Sequence, residues 1–171
     1  MTENEIIQQC QQGDLTAFRR LYEMYHQPVL RVALRMLGHQ QDAEDAAQMT
    51  FVRLHRGIGK FQYKAKFSTY LFQIVKRICF DEIRKRKKKR TCPLDSVVYG
   101  HQRDLDRKMT IEAAIAGLPD RMRMCFILFA IEELKQDEIA GIMKMTVGGV
   151  KSTLFQARIR LRKVLESETE K

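Results

Sequence analysis

Asp42, Glu44 and Asp45 form the densest acidic group in the first half of this 171-residue chain. Such a cluster could hold a divalent cation for phosphodiester hydrolysis. Its spacing argues otherwise. Carboxylates this close on one helix cannot converge on one ion unaided, and no glycine-rich phosphate loop stands beside them. Cys10, Cys79, Cys92 and Cys125 show no C-x-x-C or Cys/His ligand spacing, and His26, His39, His55 and His101 are scattered. No metal or cofactor is expected, and the cysteines suit a reducing compartment. Cys125 falls in an apolar stripe and reads as packing. No catalytic constellation remains, so the expected chemistry is charge meeting charge.

The chain carries 31 lysines and arginines against 21 aspartates and glutamates, a net charge of +10 that favours a polyanionic partner. Placement says more than the total. Residues 61–90 hold eleven basic and two acidic side chains, whereas residues 91–120 hold three and five. In Lys60–Phe67 the aromatics Phe61, Tyr63 and Phe67 interleave with Lys60, Lys64 and Lys66. Aromatic faces stack on unpaired bases at roughly 1–3 kcal/mol each while lysines hold the backbone. The competing reading makes Phe61 and Phe67 core residues flanking a loop. Ser68 then reads as the cap of a long helix to about Arg90, with Lys76, Arg77, Arg84 and Lys85 placed to grip phosphates. The helix ends in seven consecutive basic residues, Arg84 to Arg90. These read as a phosphate grip, a localisation signal or a solvated helix end, and repulsion should leave them ordered only when neutralised.

A second basic block lies in Gln136–Lys163. Ile139, Ala140, Ile142 and Met143 give a short helix, Lys144-Met145-Thr146 a turn, and Thr146 an N-cap. Val150, Leu154, Ala157 and Leu161 then make one buried stripe of a second helix. From Lys144 to Lys163 there are six basic residues and no acidic one. This is a helix-turn-helix pattern, whose second helix enters the DNA major groove. Lys151, Ser152, Thr153 and Gln156 are the candidate readers and Arg158 and Arg160 the phosphate anchors. The pair Gly148-Gly149 exposes backbone N–H groups to a phosphate, at the cost of a weaker helix start.

Helical periodicity positions these groups throughout. A helix over Glu3–Gln12 should end at Gly13. Asp14 should cap a helix bearing Phe18, Leu21, Tyr22 and Tyr25 on one face, which Pro28 is expected to kink or restart. Asp42 opens the next helix, with Ala46, Ala47, Phe51 and Leu54 inward. Only Tyr63–Phe67 and Val97–Tyr99 look briefly strand-like. Residues 91–109 read as a flexible linker, with Pro93, Gly100 and little apolar patterning. Extended, these nineteen residues reach about 60 Å. The expected architecture is all-α: two small helical domains, 1–90 and 110–171, the second a helix-turn-helix. No stretch approaches a membrane span, and Met-Thr-Glu-Asn-Glu at the start lacks the features of a secretory signal. A cytoplasmic protein without membrane insertion is expected.

The order of these motifs resembles the bacterial RNA polymerase sigma factors of the extracytoplasmic-function (ECF) group, the two-domain branch of the sigma-70 family. The likeness covers about Asp14 to Leu165. Asp42-Ala43-Glu44-Asp45-Ala46-Ala47-Gln48-Met49-Thr50-Phe51 is similar to the family's D-A-E-D-x-x-Q-[ED]-x-F helix, which implies core polymerase binding by Asp42, Asp45, Gln48 and Phe51. Phe67-Ser68-Thr69-Tyr70-Leu71, followed by Asp81-Glu82-Ile83-Arg84, is similar to the promoter-melting and minus-ten segment. That implies minus-ten contacts by Lys60, Phe61, Tyr63, Lys64, Lys66, Phe67, Lys76, Arg77, Arg84 and Lys85. Leu118-Pro119, Asp137-Glu138-Ile139-Ala140 and Val147-Gly148-Gly149-Val150-Lys151-Ser152 match the minus-thirty-five domain. They imply contacts by Thr146, Gly148, Gly149, Lys151, Ser152, Thr153, Gln156, Arg158 and Arg160.

The departures from the pattern are specific. Met49 stands where the family has an acidic residue, Tyr70 where it has tryptophan, Lys135 where it has a serine cap, and Lys144 where it has glycine in the turn. The implied function is non-enzymatic: a subunit that binds core RNA polymerase and promoter DNA and directs initiation, with an anti-sigma factor as regulator. The alternative is a self-sufficient helix-turn-helix regulator. It uses residues 110–165 and leaves the Asp42–Phe51 helix and the aromatic loop unexplained.

Overall fold

The computed structural model describes residues 1–91 and 110–169. Among these the chain is entirely helical: α1 (Glu3–Gln11), α2 (Leu15–Leu37), α3 (Gln40–Gly57), a 3-10 turn (Ile58–Lys60), α4 (Phe67–Thr91), α5 (Ile111–Ala116), α6 (Asp120–Ala130), α7 (Gln136–Met143) and α8 (Val147–Thr169). Helices α1–α4 form the N-terminal half and α5–α8 the C-terminal half. The expected linker, including Val97–Tyr99, falls almost wholly outside the described residues.

Local chemistry sets most helix ends. The Thr2 hydroxyl accepts the Glu5 N–H while the Glu5 carboxylate accepts the Thr2 N–H, a reciprocal box that satisfies two orphan donors. Asp14 Oδ1 accepts the Thr16 and Ala17 N–H groups at 2.7 and 3.2 Å. Gly38, at φ +76°, ends α2 in the left-handed conformation that favours glycine.

Pro28 neither stops nor restarts α2, which runs unbroken from Leu15 to Leu37. The carbonyl that loses its partner belongs to Met24, which is 47% exposed, so water can replace the missing donor. Val29, Val32 and Ala33, directly after the proline, are fully buried, and their burial offsets the lost bond. Helix α3 begins two residues before Asp42, whose carboxylate therefore sits in the first turn near the positive dipole end. At its far end Gly57 leaves room for the Tyr70 hydroxyl, which would have to shift from a Cβ 2.8 Å away.

The N-terminal core gathers Ile7, Leu21, Val29, Val32, Leu54, Leu71 and Val75. The C-terminal core gathers Met124, Ile127, Leu128, Ile139, Ile142, Val150, Leu154 and Ala157. The stripe expected on the last helix is buried as predicted. Helix α6 buries Met122, Met124, Cys125, Ile127 and Leu128, because α7, α8 and α2 all pack against it. Its Cys125 is fully buried, and burial pushes the thiol up to about 11. Burial lifts Cys79 to about 12. Neither thiol offers a thiolate near neutral pH.

Candidate polymerase and nucleic-acid interfaces

The Lys60–Phe67 segment is not a strand. Phe61 and Phe67 are buried at 9% and 3% exposure, and Phe67 is the first residue of α4. Ser68 therefore lies inside the first turn rather than at the cap. The ring of Phe67 meets Tyr25 edge-on at 5.4 Å and Phe61 at 5.5 Å. Neither phenylalanine is open to a base, so the core reading holds for both. Tyr63 differs: it is 40% exposed and sits at φ +58°. A non-glycine residue held left-handed stores about 1–2 kcal/mol, the kind of local strain that collects at functional loops.

Gln11 fixes this loop, and nothing in the linear pattern marked it. Its Nε2 donates to the carbonyls of Ile58 and Phe61 at 3.0 and 2.9 Å, and its Oε1 accepts the Tyr63 hydroxyl at 3.2 Å. A glutamine on the first helix serving a turn some fifty residues on has no sequence signature. Gln11→Ala should leave both carbonyls short of a donor and cost about 1–3 kcal/mol. Hydrogen exchange across Gly59–Lys64 should accelerate while α2 stays protected.

Helix α3 presents Asp45, Gln48, Met49 and Val52 on one exposed face. Of two residues expected beside them, Asp42 shares a concave surface with Asp45 and Met49, whereas Phe51 faces elsewhere. Phe51 is buried against the Tyr22 ring at 4.6 Å, because a ring in the 43-46-47-50-54 stripe must enter the core. Asp42 pairs with Arg86, which also donates to the Leu37 carbonyl at 2.7 Å. The basic run is thus helical to Thr91 and partly neutralised, as its charge density requires. Arg84 meets Asp81 at 3.5 Å and Lys87 meets Asp120 at 2.7 Å.

Along α4, Arg77, Arg84 and Lys85 are exposed. Lys76 is half-buried and donates to the Ile142 carbonyl at 2.7 Å. Burial, then the neighbouring Lys144, Arg77 and Arg121 charges, hold its ammonium below the ordinary lysine value. Lys66 pairs with Glu138 at 2.8 Å. Lys60 and Lys64 are exposed.

In the helix-turn-helix, Lys144 adopts φ +53°, ψ +52° and ends α7 left-handed without glycine. Lys135 supplies no side-chain acceptor at the start of α7; Glu138 compensates by accepting the Lys135 N–H at 2.9 Å. Thr146 caps α8 as expected, its hydroxyl accepting the Gly149 N–H at 3.0 Å. Lys151, Ser152, Gln156, Arg158 and Arg160 are exposed. Thr153 is half-buried and its hydroxyl donates to the Gly149 carbonyl at 2.8 Å, so that proton is already used. Arg158 lies 5.5 Å from the Phe129 ring centroid, which holds the guanidinium by cation–π attraction.

Phe155 is 65% exposed and Ile159 41%, on the same side of α8 as Lys151, Ser152 and Gln156. A phenylalanine one step off the 150-154-157-161 stripe was the available signal. Around Gly148 a Cβ would meet nothing within 4 Å. Gly148→Ala should therefore stabilise the protein by about 0.4–1 kcal/mol, read as a raised thermal midpoint.

Fold and surfaces together define a two-part helical protein with exposed basic residues on α4 and α8 and a mixed polar-apolar face on α3. A family model described as Sigma-70 region 2 matches residues 21–89, and one described as Sigma-70, region 4, matches residues 108–161. The ECF RNA polymerase sigma factor SigW of Bacillus subtilis is 34% identical over 93% of this chain and 94% of its own length. ECF sigma factor SigM of Mycobacterium tuberculosis is 30% identical over 90% and 79%. The solved structure of CnrH in complex with the cytosolic domain of CnrY shares the fold at TM-score 0.72 and 22% identity, covering 95% of this chain and 96% of that one. Sigma factor RpoE of Bartonella quintana, in complex with the anti-sigma factor NepR, does so at 0.71 and 20%, covering 89% and 98%. The chain belongs to the ECF group of sigma-70 family RNA polymerase sigma factors. It directs transcription initiation, and the free-standing regulator is not favoured, because the likeness spans both halves. Among the described residues no helix is long and apolar enough to cross a membrane.

Proposed function

We propose a residue-level division of labour. Residues 1–90 dock on core polymerase through the α3 face of Asp45, Gln48, Met49 and Val52, and grip the melted minus-ten strand. Lys60, Lys64 and Lys66 in the loop, with Lys76, Arg77, Arg84 and Lys85 on α4, hold its phosphates. Tyr63 supplies the ring for an unstacked base, and the buried Phe61 and Phe67 hold the loop that presents it. Residues 110–171 read the minus-thirty-five duplex with Lys151, Ser152, Phe155 and Gln156, while Arg158 and Arg160 anchor phosphates. Thr146, Gly148 and Gly149 present the helix N-terminus to the backbone, and Thr153 steadies it. Residues 91–109 link the two. The protein acts in the cytoplasm by binding alone, with no catalytic step of its own. An anti-sigma factor is the fitting regulator, since RpoE is bound to one in its solved complex.

The carrying observation is Tyr63: an exposed, backbone-strained ring on a lysine-rich loop whose neighbouring rings are buried. Tyr63→Ala should reduce opening of duplex promoters by about 1–3 kcal/mol, the value of one base–aromatic stack. Pre-melted promoters should be used nearly normally. Equal defects on both templates would refute the stacking role.

A further inference from the structure

The halves meet along a seam whose charges are sorted. Arg31 donates to both oxygens of Glu132 at 3.0 Å. Arg35 meets Glu112 at 3.2 Å, Lys66 meets Glu138 at 2.8 Å and Lys87 meets Asp120 at 2.7 Å. In all four pairs the base belongs to the N-terminal half and the acid to the C-terminal half. Glu132 and Glu138 keep only 6% and 11% of their side-chain surface. Two further bonds land on backbone: Gln73 Nε2 donates to the Gly141 carbonyl at 3.0 Å and Lys76 Nζ to the Ile142 carbonyl at 2.7 Å. Both carbonyls belong to the last turn of α7, where they lack intrahelical donors and carry the negative end of the helix dipole. A Cβ at Gly141 would stand in ordinary van der Waals contact with Thr69 Cγ2, 3.4 Å away.

We propose that α7 is a built-in competitor for the minus-ten strand. Closed on α4, it offers Lys66, Gln73 and Lys76 a carboxylate and two helix-terminal carbonyls where promoter phosphates would otherwise sit. The device is one-sided. Lys151, Ser152, Phe155 and Gln156 stay exposed in the closed form, so the minus-thirty-five reader is ready while the Lys66, Gln73 and Lys76 part of the minus-ten grip is occupied. Several of the seam pairs are solvent-accessible and therefore screened by salt. A polyanion that engages α4 competes for the same cations and releases α7. The proposal rests on the reading that α4 grips minus-ten DNA.

The test uses two full-length variants. Glu112→Gln/Glu132→Gln removes two seam carboxylates that have no assigned DNA or polymerase role. Thr69→Cys/Gly141→Cys places a reversible lock across the closest approach. A labelled single-stranded non-template minus-ten oligonucleotide should bind the double-glutamine variant about tenfold more tightly than the parent, while a minus-thirty-five duplex binds within about twofold. The oxidised lock should weaken oligonucleotide binding, keep the duplex, and recover on reduction. Equal gains on both probes would show a mere charge effect and overturn the proposal. So would a cysteine pair that fails to cross-link at low salt. Failure of the underlying minus-ten reading would look different: a scrambled oligonucleotide would bind every form as well as the minus-ten sequence.

Discussion

Phe67→Ala should destabilise the protein by about 3–5 kcal/mol, the range for a buried phenylalanine cut to alanine. A domain's whole stability is about 5–15 kcal/mol, so the variant should stand near the edge of folding. The cause is packing. Phe67 is 3% exposed, starts α4, and joins Tyr25, Phe61 and Tyr70 in one aromatic cluster. Removing it opens a cavity under the loop that carries Tyr63. Urea unfolding should show a lowered midpoint for Phe67→Ala and almost none for Tyr63→Ala, since exposed positions usually stay within about 0.5 kcal/mol. A fully stable Phe67→Ala protein that nonetheless fails to open promoters would mean this ring faces DNA instead.

Lys151→Ala should lower transcription from the cognate promoter by about 1–3 kcal/mol, the worth of one well-made base contact. Affinity for core polymerase should not change, because Lys151 is exposed near the start of α8, in the opposite half from the α3 face. Selectivity between promoters should relax at one position of the upstream element. Arg160→Ala should behave differently, weakening all promoters alike, as expected for a phosphate anchor. Unchanged selectivity in Lys151→Ala would remove it from the reading set.

Elements governed by local rules were legible from the sequence alone. The Thr146 cap and the 150-154-157-161 stripe follow from residue type and helical period, and both are found in place. Pro28 does not restart the helix, because tertiary burial of Val29, Val32 and Ala33 outweighs a local helix-breaking preference. Phe61 and Phe67 could not be assigned from spacing, since an aromatic beside a lysine reads alike whether its ring stacks on a base or on Tyr25. Phe51 carried two readings, an inward place in the apolar stripe and a motif position implying polymerase contact, and its burial follows the stripe. Gln11 and the inter-half seam lay beyond periodic reasoning altogether, because they join residues more than thirty positions apart.

The central claim is that this chain confers promoter choice on a polymerase through two separated DNA surfaces. Run-off transcription with purified core polymerase over a genomic promoter library tests it most directly. Adding the protein should yield a defined set of transcripts sharing two upstream elements at fixed spacing, with Lys151→Ala and Tyr63→Ala each depressing that set. Transcripts no different from those of core polymerase alone would contradict the account.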